Sequence, residues 1–121
     1  MKAILAAAAL VMSGHWATAQ DIGGHYLVKG TDLGGTSYEG DAEITLTSKV
    51  TCEIVWHTGG TTSSGICMRD ENAFTAAYEL NGKVGLVIYL VQNDGSLVGT
   101  WTMSGVNAVG DETLTPVPAP N

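Results

Sequence analysis

The segment that decides the fold is Thr51–Met68, with the sequence TCEIVWHTGGTTSSGICM. Two consecutive glycines, Gly59 and Gly60, separate two stretches rich in threonine, serine and β-branched residues. Consecutive glycines favour a two-residue hairpin turn, because both turn positions need a positive φ angle. Counting outward from that turn places Cys52 directly opposite Cys67, within the distance that a disulfide spans. The segment therefore predicts a β-hairpin cross-linked by a disulfide.

The two cysteines are the only ones in the chain. A zinc or redox site is disfavoured, because they lack the CxxC spacing and a nearby pair of histidines. Two free thiols remain the alternative to the disulfide. The predicted register also places Ile66 and Met68 on the face that carries Glu53 and His57. A β-bulge at Gly65 would restore the alternation of apolar and polar residues.

Residues 1–19 have the pattern of a secretory signal peptide. Lys2 supplies the positive start, and Ala3–Met12 is an apolar stretch too short to span a bilayer. Ala17-Thr18-Ala19 is typical of a cleavage site, so we expect Gln20 to be the first mature residue. No later stretch is long and apolar enough for a transmembrane helix. We expect a bacterial protein that is periplasmic or secreted.

The charge balance narrows the choice of partners. The chain has 12 acidic and 5 basic residues, and its formal net charge is −7 at pH 7. Nucleic acid and anionic membranes are disfavoured partners for such a surface. A basic protein or a cation is favoured as a partner, and solubility alone is the other explanation of the acidic composition.

Turn signals recur about every 10 to 12 residues, with no sustained helical periodicity between them. This spacing predicts an all-β protein, a small antiparallel eight-stranded up-and-down β-barrel over residues 20–115 with a Pro-rich tail over residues 116–121. Three Ser/Thr-x-x-Gly segments end at Gly40, Gly65 and Gly99, and glycine within a strand permits the sharp coiling of a small barrel. The predicted strands are Gly24–Gly30, Ser37–Leu46, Val50–His57, Thr62–Arg69, Ala73–Leu80, Val84–Val91, Leu97–Met103 and Val109–Thr115.

The sheet that follows the disulfide hairpin is apolar on both faces when Asn81-Gly82 and Asp94-Gly95 are taken as two-residue turns. One face carries Leu86, Ile88, Leu90, Leu97, Trp101 and Met103, beside Ala73 and Ala77. The other face carries Phe74, Tyr78, Leu80, Val87, Tyr89, Val91 and Val98. A half-exposed antiparallel sheet normally has one polar face. We therefore expect the second face to be covered by another copy of the chain, by the Pro-rich tail or by a ligand, with a homo-oligomer as the leading explanation. Simple exposure of scattered aromatic residues is the remaining alternative.

The sequence does not indicate an enzyme, a cofactor or a metal site. The mature chain has two histidines, His25 and His57, and no Gly-x-Ser-x-Gly motif. We expect Asp111-Glu112 to be the solvated start of the last strand. The other carboxylates are interpreted as charges of loops and strand edges rather than as a glycosidase pair.

Three runs resemble a group of small exported bacterial β-proteins, mostly of uncharacterised function and some labelled fibrinogen-binding. They are GICMRDEN over 65–72, DGSLVGTWT over 94–102 and DETL over 111–114. The resemblance implies a fold and an exported location, and Cys67 stands where glycine is expected in that group. Residues 94–101 also resemble the second-strand pattern of avidins, which are eight-stranded barrels. Their biotin-contacting pattern is not met, because only Trp56 and Trp101 remain after the signal peptide.

These observations predict an exported, non-enzymatic binding protein on a barrel scaffold. Its partner is expected to be a small apolar ligand held in the barrel, or a basic protein. An acidic inhibitor of a basic hydrolase, an adhesin and a self-associating structural envelope protein remain the alternatives. The predicted contact residues are Phe74, Tyr78 and Tyr89 on one face. Trp56 and Trp101 on the other face are further candidates, for which a place in the core is the favoured interpretation.

Overall fold

The computed structural model describes residues 21–118, which form a closed barrel of eight antiparallel strands. Each strand pairs with the next along the chain, and β8 pairs with β1 to close the barrel. The predicted fold class is therefore confirmed, whereas the predicted signal peptide over residues 1–19 and the end of the tail lie outside the described residues. The strands are β1 (Gly24–Thr31), β2 (Ser37–Leu46), β3 (Thr51–Thr58), β4 (Thr61–Asp70), β5 (Ala73–Leu80), β6 (Lys83–Val91), β7 (Leu97–Met103) and β8 (Gly110–Pro116).

The predicted strand bounds agree with the structure to within one residue at each end. The last strand extends to Pro116, which lies opposite Tyr26 at the end of the β1–β8 ladder. Proline is tolerated there because a strand end does not need every backbone donor. Within the described residues, no helix is long and apolar enough to cross a membrane.

The hairpin of β3 and β4 has the predicted register. Gly59 and Gly60 have φ angles of 58° and 81°, as a type I′ turn requires. Cys52 lies opposite Cys67, and the two form a disulfide with their Cα atoms 4.9 Å apart. The pairing continues through Gly65 without a bulge. The predicted bulge is therefore absent, and Ile66 and Met68 stay on the same face as Glu53 and His57.

The three glycines of the Ser/Thr-x-x-Gly segments share one geometry. A Cβ atom on Gly40, Gly65 or Gly99 would overlap a backbone carbonyl of the adjacent strand, and these carbonyls belong to His57, Ala77 and Ile88. Only glycine allows such a close approach, which lets the strand coil inward. The predicted link between these glycines and the closure of a small barrel agrees with this arrangement.

The turn between β6 and β7 differs from the prediction. The backbone amide of Gly95 donates to the carbonyl of Gln92, and Gly95 has a φ angle of 88°. The loop is therefore one residue longer than a two-residue turn, and Leu90 pairs with Val98 rather than with Gly99. A shift of one residue moves every side chain of β7 to the opposite face. The predicted pairing of Ile88 with Trp101 is wrong for this reason, and Trp101 lies inside the barrel.

The two ends of the barrel are filled differently. At the end that carries the disulfide, Ile22 is buried and accepts a 2.6 Å hydrogen bond on its carbonyl oxygen from the Tyr26 hydroxyl. The core above it contains side chains that are almost fully buried: Val28, Ile54, Phe74, Tyr89, Leu97 and Leu114. We call this the closed end. The opposite end carries the β1–β2, β3–β4, β5–β6 and β7–β8 connections, and we call it the mouth.

The outer surface carries an apolar patch on β4, β6 and β7. Ile66 is 70% exposed, and the other members of the patch are also exposed. The described part of the tail does not cover the patch. The backbone amide of Val117 donates to the carbonyl of His25 on β1, which holds the tail next to β1 and away from β4, β6 and β7. The prediction of apolar residues on both faces is confirmed, although the two sets differ from those predicted. The patch consists of Ile66, Met68, Leu86, Ile88, Leu90 and Val98.

Candidate ligand site at the barrel mouth

A cavity of about 250 Å³ opens at the mouth. It reaches from the turns down to a buried carboxylate on β8, and aromatic side chains form much of its wall. Its lining consists of Asp32, Tyr38, Trp56, Thr58, Gly59, Thr61, Ser63, Tyr78, Leu80, Val87, Trp101, Met103 and Glu112. The cavity therefore combines aromatic and aliphatic walls with two carboxylates and several hydroxyl groups, and small-molecule sites commonly have such a mixture of apolar walls and placed polar groups.

Three of the four aromatic residues of the cavity are positioned by a glycine directly opposite them on the next strand. A Cβ atom on each of these glycines would overlap the aromatic side chain of its partner. Such cross-strand packing of an aromatic residue on a glycine fixes the ring and stabilises the strand pair. The pairs are Tyr38 with Gly30, Tyr78 with Gly85, and Trp101 with Gly110.

The four rings contact each other in two edge-to-face pairs. The ring centroids of Trp56 and Tyr78 are 5.1 Å apart, and those of Tyr38 and Trp101 are 6.3 Å apart. Edge-to-face contacts at these distances are favourable because the positive edge of one ring meets the negative face of another. The aromatic wall is thus a packed structure rather than a set of separate side chains.

Glu112 lies at the base of the cavity and is 7% exposed. Its Oε1 accepts a 2.5 Å hydrogen bond from the Tyr38 hydroxyl, while Oε2 accepts bonds of 2.5 Å from the Tyr89 hydroxyl and 3.0 Å from Trp56 Nε1. The prediction that Asp111-Glu112 is solvated is wrong for Glu112. The side chain points inward because it alternates with Asp111 along β8 and shares a face with the buried Leu114.

Glu112 and the tyrosines near it influence each other's pKa values. Burial raises the pKa of Glu112, and the hydrogen bonds from Tyr38, Tyr89 and Trp56 oppose that rise. Burial, together with the nearby Glu112, raises the pKa of Tyr78 to about 12 and raises the pKa values of Tyr38 and Tyr89 as well. The three hydroxyls therefore stay protonated at neutral pH and act as neutral donors.

Two hydrogen-bonding groups are left with spare capacity. An ionised carboxylate has about four lone-pair sites, two on each oxygen, and three donors reach Glu112. Oε1 receives one of them and can accept another. In addition, Trp101 Nε1 is buried and makes no hydrogen bond of normal geometry among the described residues, although it lies close enough to the Tyr38 hydroxyl to oppose the rise in the pKa of Tyr38. Within residues 21–118, no group of three or more His, Cys, Asp or Glu side chains could hold a metal ion.

The structure brings all five predicted contact residues into the barrel interior. Trp56, Tyr78 and Trp101 line the cavity, whereas Phe74 and Tyr89 are 0% exposed and stack on each other below it. The predicted division of these residues between two faces is wrong. The misplaced register of β7 explains the error for Trp101, whereas Trp56 was assigned to that face without a register that links β3 to β7. Tyr89 still contributes to the site through its hydroxyl.

Sequence reasoning missed Tyr38 and Glu112. A signal for Glu112 was present in the alternation of Gly110, Glu112 and Leu114, which places the carboxylate on the face of a leucine. Tyr38 could have been found from its position directly opposite Gly30 across the predicted β1–β2 turn.

Several solved structures have the same fold as this chain. The redesigned β-barrels mFAP1 and mFAP0, both bound to DFHBI, match with TM-scores of 0.66 and 16% identity. The matches cover 78% and 79% of this chain and 94% and 99% of the barrels. A mutant of the fluorescent protein UnaG matches with a TM-score of 0.52 and 10% identity, over 79% of this chain and 96% of UnaG. At such identities the similarity establishes the fold alone. No protein-family model and no curated protein sequence matches the chain.

Proposed function

We propose that this protein binds a small organic molecule in the mouth of its barrel, and that it acts by binding rather than by catalysis. The observation that carries the proposal is the carboxylate of Glu112, buried at the base of an open cavity and surrounded by four aromatic residues. A buried carboxylate in an apolar cavity is costly for stability. Such groups are found more often at functional sites than elsewhere.

The similar structures support a binding role for this architecture. Two of them are barrels bound to DFHBI, so the same fold can hold a small organic molecule. Catalysis by a pair of carboxyl groups, as in glycosidases, would need a second carboxylate beside Glu112. The other carboxylate of the lining, Asp32, accepts backbone hydrogen bonds on Oδ1 from Gly34 and Thr36 at the rim. Its role is therefore assigned to the β1–β2 turn.

The proposed place of action is the periplasm or the exterior of a bacterium. The signal-like residues 1–19 and the resemblance to exported β-proteins support it. A disulfide is typical of proteins that fold in an oxidising compartment, and the Cys52–Cys67 bond agrees with the proposed location.

The test uses two substitutions of neighbouring serines. Ser63 faces the cavity and Ser64 lies exposed on the outer surface. Phenylalanine at position 63 would fill the mouth, whereas phenylalanine at position 64 would leave it open. Both tryptophans of the described residues line the cavity, so their fluorescence reports on a bound molecule.

Small aromatic and aliphatic probes are titrated into the wild type, Ser63→Phe and Ser64→Phe. We expect quenching or a spectral shift in the wild type and in Ser64→Phe, and its loss in Ser63→Phe. Equal binding to both variants would place the ligand elsewhere and contradict the proposal.

Self-association is a second candidate function, favoured by the exposed apolar patch on β4, β6 and β7. A groove of about 650 Å³ runs through it, and Glu53 is the only charged residue of the groove lining. On an acidic chain, this is a surface where two copies can meet with little charge repulsion. The large exposed side chains of β4 and β6 form two ridges, and the small Thr75 and Ala77 on β5 form a groove between them. Because both features lie on the same face, a ridge of one copy can fit into the groove of a second copy related by a two-fold axis.

Sedimentation velocity tests this candidate with a matched pair of substitutions. Ile66→Glu places a charge in the patch, and Leu27→Glu places the same charge on the exposed surface of β1. We expect a wild-type dimer that persists in Leu27→Glu and dissociates in Ile66→Glu. A wild-type monomer at high protein concentration would overturn this second candidate.

A further inference from the structure

We infer that the ligand of the mouth is a small organic cation, an ammonium ion with an apolar body, whose charged group lies against Glu112. This inference rests on the proposed function and names the chemical class of the ligand. It follows from three features of the cavity, which are the charge of its lining, the nature of its walls and the spare acceptor on Glu112.

The lining contains negative charge and no basic residue. Glu112 lies at the base and Asp32 at the rim, and the lining includes no lysine, arginine or histidine. The three donors to Glu112 are the neutral hydroxyls of Tyr38 and Tyr89 and the indole of Trp56. A buried carboxylate without a counter-ion is unfavourable, and a bound cation would provide one. An anionic ligand would instead meet repulsion from two carboxylates.

The walls are suited to a cation. Two tryptophans and two tyrosines surround the space above Glu112. Aromatic faces attract ammonium groups through their quadrupoles, tryptophan most strongly, and aromatic cages with a carboxylate recognise such groups. Leu80, Val87 and Met103 also line the cavity and would contact an apolar body, while Thr58, Thr61 and Ser63 add hydroxyl groups to the lining.

Glu112 has one acceptor site left on Oε1, as its hydrogen bonds show. A neutral apolar ligand would exclude water from that oxygen without replacing its hydrogen bond. An ammonium ion would compensate Oε1 of Glu112 by charge attraction. A protonated amine would in addition donate a hydrogen bond to that oxygen. The cavity volume of about 250 Å³ lies just below the usual range of roughly 300–1,000 Å³ for ligand pockets, so the cation is small. The net charge of −7 adds a long-range attraction for cations.

The pH dependence of binding follows from the groups that face Glu112. They are the hydroxyls of Tyr38 on β2, Tyr78 on β5 and Tyr89 on β6, all of which stay neutral, with Asp32 at the rim. The carboxylate is therefore the group at the base of the cavity whose titration changes the charge there. Protonation of Glu112 removes the counter-ion, so the affinity for a cation falls as the pH is lowered.

The experiment compares cations with neutral molecules of the same shape. The probes are choline with 3,3-dimethylbutan-1-ol, and benzyltrimethylammonium with 2,2-dimethylpropylbenzene. Each is titrated into the wild type and into Glu112→Gln, with tryptophan fluorescence as the readout. We expect each cation to bind at least about tenfold more tightly than its neutral partner in the wild type, and Glu112→Gln to lose that preference.

The outcomes separate this inference from the proposed function. If the neutral molecules bind to the wild type as well as the cations do, the inference is overturned and the binding role of the mouth stands. If none of the four probes binds, the inference is overturned. The proposed function fails with it only if the aromatic and aliphatic probes of the first test also leave the wild-type fluorescence unchanged. Should Glu112→Gln fold poorly, the wild type alone decides, because cation binding that does not weaken at acidic pH would overturn the inference.

Discussion

Trp56 on β3 donates a 3.0 Å hydrogen bond from Nε1 to Oε2 of Glu112 on β8, across the interior of the barrel. These two strands are not neighbours in the sheet. The hydroxyls of Tyr38 on β2 and Tyr89 on β6 reach the same carboxylate. Four strands are therefore connected through one buried side chain, and the first prediction concerns its charge.

Glu112→Gln should change how stability depends on pH. Burial raises the pKa of Glu112 above its ordinary value of 4.5, so the folded protein holds this proton more tightly than the unfolded chain. The stabilisation from Glu112 is then complete below about pH 4.5 and is lost as the pH rises through the raised pKa. We expect the advantage of the wild type over Glu112→Gln in unfolding free energy to be largest at pH 4 and to decline toward pH 8. Urea denaturation across that range measures it.

Glu39→Gln removes a carboxylate from the exposed surface of β2 and is the control for the change in net charge. An advantage of the wild type that grows from pH 4 to pH 8 would contradict the assignment of a raised pKa to Glu112.

Tyr89→Phe should destabilise the barrel by about 1–3 kcal/mol, because it removes a hydrogen bond to a buried carboxylate. The hydrogen bond from Tyr89 also lowers the pKa of Glu112, so its loss should move that pKa higher still. Tyr26→Phe is the matched control, since it removes one hydroxyl that bonds to the Ile22 carbonyl at the closed end. Urea denaturation at several pH values should show an altered pH profile in Tyr89→Phe only. Identical profiles in the two variants would refute the coupling.

The double substitution Cys52→Ala with Cys67→Ala should lower the unfolding free energy by about 3 kcal/mol. The disulfide closes a loop with a sequence separation of 15 residues, and cross-linking a loop of that length restricts the unfolded chain by about this amount. Denaturation with and without dithiothreitol measures the effect. The reductant should lower the stability of the wild type to that of the variant and leave the variant unchanged. A wild type that is insensitive to complete reduction would show that the disulfide adds no stability.

Gly65→Ala should be among the most destabilising single substitutions in the barrel, and we expect a loss of more than about 2 kcal/mol. The added methyl group would overlap the backbone carbonyl of Ala77 on β5, which cannot move without breaking the sheet. Gly34→Ala is the control, because its methyl group would meet only Asp32 Oδ1 at 3.6 Å. Thermal unfolding of both variants checks the prediction, and equal melting temperatures would show that the close approach at Gly65 can relax.

The fold could be predicted from the sequence because its turns are specified locally. Gly59-Gly60 and Asn81-Gly82 have the positive φ angles that two-residue turns need, and each sets the register of its hairpin. The β6–β7 turn was predicted one residue too short, because Asp94-Gly95 fits both a two-residue turn and a three-residue loop with glycine at its last position. The choice between the two loops depends on the backbone hydrogen bond from Gly95 to Gln92, which the sequence does not show.

The site was predicted only in part, because Glu112 is buried, whereas glutamate side chains are usually exposed. A glutamate beside an aspartate at a strand start is normally exposed. Its burial depends on donors from Tyr38, Trp56 and Tyr89, which lie far from it in sequence. The aromatic residues were easier to find, since large rings inside a small barrel have few other places to lie.

The two ends of the barrel differ in packing, so the residues that stabilise the fold are separate from those that would bind a ligand. The disulfide and the tightly packed core lie toward the closed end, whereas the cavity is bordered by the turns of the mouth. Changes in the length or sequence of those turns can therefore reshape the entrance while the stabilising end is left intact. The chain has the properties of an adaptable scaffold, in which new binding specificities could evolve or be engineered at one end with little loss of stability at the other.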